Sequence, residues 1–158
     1  MRKILNSSLL AGVLLLLTSC SGSFSDPIEY NNKMMTIINS VQEDQGTMNE
    51  AMIADELTKA EEFRATWITH LEKSIDEVSK TGDFKGDSSL KDALTTGLTQ
   101  YKDIVAKDYK EYIEARKGTG EEAENKADDI LTKINEKLDS IEKNVNTAAE
   151  AFQSKISQ

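Results

Sequence analysis

An all-α fold is what this sequence predicts: four helices joined by short loops in an up-down-up-down four-helix bundle. Three observations point there. Apolar residues recur at steps of three and four through four consecutive segments, the mark of one buried face per helix. No proline follows Pro27, so nothing removes a backbone donor from those segments. Runs of alternating apolar and polar residues are absent, which leaves a sheet without strands.

The chain opens with Arg2 and Lys3, then an apolar run from Leu9 to Leu17, then Leu17-Thr18-Ser19-Cys20. Basic n-region, short apolar h-region and small-residue cleavage site make a secretory signal. The run is too short for a membrane span, which needs about 20 consecutive apolar residues. Leu, a hydroxylated residue, Ser and then Cys form the lipobox of bacterial lipoprotein precursors, where the thiol takes a diacylglycerol and the chain is cut just before it. The expected organisation is a signal peptide over 1–19, a lipidated tether over 20–26 and a helical bundle over 27–158. The tether, Ser21-Gly22-Ser23-Phe24-Ser25, has no periodicity, and from Cys20 to Asp26 it reaches at most about 20 Å.

Removal of residues 1–19 from the 158-residue chain leaves 139, the size of one domain with one core. Without Arg2 and Lys3, 17 cations face 28 carboxylates, a net charge of −11. Such a surface disfavours nucleic acid and anionic lipid head groups, both of which require clustered Lys and Arg. Membrane contact is therefore expected through acyl chains on Cys20. Because Cys20 is the only cysteine, no disulfide can form within the chain, and stability must come from packing.

Asp26-Pro27-Ile28-Glu29 predicts the start of the first helix, with Asp26 as cap, Pro27 at the first helical position and Glu29 as the capping-box acid. Its apolar side is Tyr30, Met34, Ile37/Ile38, Val41, Met48 and Met52. That stripe runs on past Gly46, so the break belongs near Ile53 to Asp55. The second helix, about Glu56 to Lys80, carries Leu57, Ala60, Phe63/Arg64, Trp67/Ile68, Leu71, Ile75 and Val78, and Trp67 marks the aromatic centre of the core. Thr81 to Asp87, with two glycines and no apolar period, is a loop. Asp87, Ser88 or Ser89 then caps a third helix bearing Leu90, Leu94, Leu98, Tyr101, Val105, Tyr109 and Tyr112, which stops at Arg116-Lys117-Gly118 with glycine as the left-handed terminator. Thr119-Gly120-Glu121-Glu122 opens the fourth helix as a capping box. From Ile134 to Phe152 its apolar steps are 4, 3, 4, 3, 4, a coiled-coil-like repeat that favours a shallow left-handed crossing.

Several stretches look familiar: Tyr30-Asn31 soon after Cys20, Phe84-Lys85-Gly86-Asp87, Leu90-Lys91-Asp92-Ala93, and Tyr101-Lys102 ahead of Tyr109-Lys110-Glu111. In these the mature chain resembles a family of bacterial all-helical surface lipoproteins to which no activity is assigned. What the resemblance implies is an envelope location and a helical fold, with no catalytic residue.

Chemistry-bearing patterns are sparse. His70, the sole histidine, cannot form a zinc pair, and Trp67 three residues before it breaks any Glu-x-x-His motif. A haem between His70 and Met34 or Met35 is outweighed by methionine's ordinary role as core filler. Adjacent acids such as Glu61-Glu62, Glu121-Glu122 and Asp128-Asp129 suit a solvated face better than acid–base work, which needs a desolvated carboxyl in a cleft. Asp83 to Asp87 lacks calcium-loop spacing, and no phosphate loop follows Gly118-Thr119-Gly120. The expectation is a non-catalytic binding or structural module without metal or cofactor, bound to the membrane through lipid on Cys20 and to an envelope protein or polymer. Ser21 is compatible with outer-membrane sorting. Phe84 in the loop and Tyr109 and Tyr112 near the end of the third helix are the candidate partner contacts, against the alternative that they close the bundle ends. The competing reading, from another class, is a cofactor- or metal-carrying bundle or enzyme.

Overall fold

The structure, a computed structural model, describes residues 25–156; the signal, Cys20 and the tether up to residue 24 lie outside the described residues. The described chain is all-helical: α1 (Ser25–Ile53), α2 (Leu57–Lys80), α3 (Ser89–Asp103), a π-helical turn (Ile104–Asp108), α4 (Tyr109–Arg116) and α5 (Glu121–Ile156). Because α3, the π turn and α4 follow one another without a break, the chain makes four helical rods. Among the described residues the only β pairing is one isolated bridge, Phe84 to Asp87.

Each rod buries its apolar stripe. α1 packs along α2, α2 along α3 and α4, and α5 along both of those. Met34, Met48, Trp67, Leu71, Val78, Val105, Tyr109, Ile113 and Ile134 are the largest fully buried side chains, so all four rods share one core. α1 crosses Gly46 unbroken and ends at Ile53, where the stripe predicted. A Schellman arrangement closes it: Glu56 N–H donates to the Ala51 carbonyl at 3.0 Å and Asp55 N–H to that of Met52 at 3.3 Å, with Asp55 in the left-handed region at φ 61°. The Asp55 carboxylate accepts a 2.7 Å hydrogen bond from Arg116 Nη2, tying this turn to the end of α4.

Rings gather at the opposite ends of these helices. Tyr30 near the start of α1, Phe84 in the 81–88 loop and Phe152 near the end of α5 stand with centroids 5.2 to 5.5 Å apart. The loop is a miniature hairpin: Phe84 and Asp87 exchange backbone hydrogen bonds of 3.1 and 2.9 Å around Lys85 (φ 51°) and Gly86 (φ 84°), the positive-φ pair of a type I′ turn. Asp87 Oδ1 then accepts the Ser89 N–H at 2.9 Å and Oδ2 a bond from Lys155 Nζ at 2.7 Å, so Asp87 both caps α3 and fastens the end of α5.

Three predicted helix ends differ. The chain is already helical at Ser25, so Asp26 lies inside the first turn instead of capping it; Pro27 is tolerated there because its missing N–H would have had no helical partner. The left-handed glycine between α4 and α5 is Gly120 (φ 88°), not Gly118. Gly118 is needed for space: a Cβ there would stand 2.7 Å from that of Ala123. With α5 starting at Glu121 after Gly120, Thr119 falls one residue short of the cap position.

Candidate functional site

The polar groups that the helices bring into the core converge where α1, α2 and the third rod meet. On α1, Gln45 occupies the apolar stripe between Val41 and Met48, and only 5% of it is exposed. Asp44 beside it is 8% exposed, and its carboxylate oxygens lie 3.0 and 3.1 Å from His70 Nδ1 on α2. The His70 side chain is 53% exposed, so this pair marks the solvent edge of the region.

Inside that edge stands Trp67, with the ring of Tyr101 edge-on at 5.4 Å and that of Tyr109 at 5.2 Å between centroids. Burial pushes the phenols of Tyr101 and Tyr109 well above their ordinary range, so both stay protonated and able to donate. Gln45 lies close enough to the Tyr109 hydroxyl to lower it slightly, yet the contact falls short of hydrogen-bond geometry. Trp67 Nε1, Tyr101 Oη, Tyr109 Oη and Gln45 Nε2 all lack a protein partner. An unsatisfied buried donor costs about 1–3 kcal/mol. Four would consume a large part of a domain stability of about 5–15 kcal/mol.

The π turn forms the next layer. Tyr109 N–H reaches back five residues to the Ile104 carbonyl. Wider winding leaves carbonyls without the ordinary i+4 donor, and Arg64 from α2 meets them: Nη1 donates to Ala106 O at 3.1 Å and approaches Val105 O at 3.5 Å. Glu61 one turn earlier holds the guanidinium with two bonds, 2.9 Å from Nε and 2.6 Å from Nη2, and the pairing lowers the Glu61 carboxyl's own affinity for a proton. Arg64→Met keeps the aliphatic stem and removes the donors. We expect it to cost about 1–3 kcal/mol, read as a lower urea midpoint at unchanged slope. An unchanged midpoint would show that the carbonyls need no partner.

Tyr109 and Tyr112, expected at the surface as partner contacts, are instead buried, at 0% and 5% exposure. The π turn explains this: its extra residue keeps Tyr101, Val105, Tyr109 and Ile113, each four apart, on one face, whereas a regular α-helix would carry such a row progressively out of the core. Phe84 is half-buried against Tyr30 and Phe152, closing an end of the helices. His70 and Met34 do not share an environment, since Met34 is fully in the core and the His70 imidazole lies at the rim. Among the described residues no group of three or more His, Cys, Asp or Glu is placed to hold a metal ion, and no helix is long and apolar enough to cross a membrane. Comparisons with protein-family models, with curated proteins and with solved structures found no match for this chain.

Proposed function

We propose that the protein is an exported lipoprotein of the bacterial cell envelope, held at the membrane by diacylglycerol on Cys20, whose helices form an up-down-up-down bundle that acts by binding or as a structural module. The observation that carries this reading is the succession of Arg2-Lys3, the apolar run and Leu17-Thr18-Ser19-Cys20. The bundle order is supported by the contacts at its two ends: the start of α1 meets the 81–88 loop and the end of α5, and the α1–α2 turn meets the end of α4. With α1 helical at Ser25, only residues 21–24 separate it from Cys20, a reach of about 17 Å. The Phe84 end then faces the bilayer, and an envelope protein or polymer would meet the sides of the bundle or the far end, around Asp55 and Arg116. That orientation removes the reason to regard Phe84 as the outward contact.

The test is extraction of membranes from producing cells. The protein is expected to resist high salt and alkaline carbonate and to partition into detergent, because two acyl chains hold it and an acidic surface does not. Release by salt would contradict the proposal.

A further inference from the structure

We infer that Gln45, Trp67, Tyr101 and Tyr109 form an internal binding site for a small uncharged molecule that presents oxygen acceptors, water being its simplest occupant. The inference is independent of where the protein is located.

Four donors without a protein acceptor stand together around one indole ring: Trp67 Nε1, the two phenol hydroxyls and the Gln45 amide. Their residues are no more than 5% exposed, so bulk water does not satisfy them. Buried polar groups that lack a protein partner are as a rule bridged by ordered water or another guest. The chemistry of the guest follows from the walls. Phenols held protonated by burial and an indole N–H donate and favour carbonyl, ether or hydroxyl oxygen. Tyrosine oxygens also accept, and so does Asn49 Oδ1, one helical turn beyond Gln45 and equally without a partner. A hydroxyl-bearing guest or water suits this mixture. An anion would be repelled by the nearby Asp44 carboxylate, which is the acid that bears on Tyr101. Any ion would lose its hydration among Met48, Val105 and Ile113 without a countercharge. The π turn places Val105 and Tyr109 on this wall, and irregular winding of that kind recurs where helices make room for a ligand.

Trp67 is the only tryptophan, so in the mature, detergent-solubilised and ¹⁵N-labelled protein one indole N–H signal reports on the site without ambiguity. The expected result is a cross-peak from that proton to long-lived water, or else to a compound released in stoichiometric amount on denaturation and identified by mass. The first arm assigns water, the second a carried ligand. Tyr101→Phe and Tyr109→Phe supply a sign test. If the hydroxyls are bonded to a guest, each variant melts about 3–5 °C lower; if they are truly unbonded, removing them leaves the melting temperature unchanged or raises it. Unchanged or raised melting in both variants overturns the inference. So does an indole proton that contacts only protein in a preparation that releases no compound.

Discussion

Replacing Cys20 by alanine is expected to abolish membrane attachment altogether. The acyl chains supply all of the affinity: burial of lipid is worth about 0.8 kcal/mol per CH₂, and stable anchoring takes two chains where one is marginal. The remainder of the mature chain offers nothing comparable. Its net charge is −11 once residues 1–19 are gone, and none of its described helices can cross a bilayer. The Cys20→Ala protein should accumulate as precursor or appear as soluble product. Residues 21–158 exported behind an ordinary cleavable signal should be wholly soluble, as measured by fractionation after a high-salt wash. Retention of that protein on membranes would mean that the folded surface itself binds there.

Trp67→Ala is expected to cost about 3–5 kcal/mol, the range for deleting a large buried aromatic. Trp67 is 0% exposed and touches Phe63, Tyr101 and Tyr109, with ring centroids 5.2 to 6.4 Å away. Each aromatic pair adds about 0.5–1.5 kcal/mol beyond the area it buries. No disulfide can compensate, so the loss approaches the whole stability of a marginal domain. Urea unfolding followed by far-UV circular dichroism measures it. Ile53→Ala is the control: that side chain is 58% exposed at the end of α1, and its removal should change stability by less than about 0.5 kcal/mol. Equal effects of the two substitutions would mean that Trp67 is not the centre of the core.

Periodicity made the helices and most of the core legible. Trp67, Leu71 and Val78 on α2 and Ile134, Leu138, Ile141 and Val145 on α5 are buried at the predicted steps. The break after Ile53 was legible for the same reason, since one weak glycine does not stop a stripe that continues to Met52. Irregular and polar features were harder. Gln45 fills the stripe position four after Val41 and three before Met48, but a polar residue inside an apolar pattern is passed over by any search for apolar residues. Arg64 lies on the α2 stripe between Ala60 and Trp67, and its acceptors on the π turn are more than 40 residues away in the chain. The π turn did leave a trace: Tyr101, Val105, Tyr109 and Ile113 are spaced by four throughout, a longer period than an α-helix keeps. Phe84 sits in a hairpin, where helical period says nothing, and only the placement of Tyr30 and Phe152 shows which way it turns.

The account depends most on Cys20, and the N-terminus of the mature protein tests it directly. Protein purified from membranes is digested and its first peptide weighed. The predicted result is a chain beginning at Cys20 with the mass of a diacylglycerol on its thiol. A mature chain that begins elsewhere, or one that begins at Cys20 with a free thiol, would contradict it.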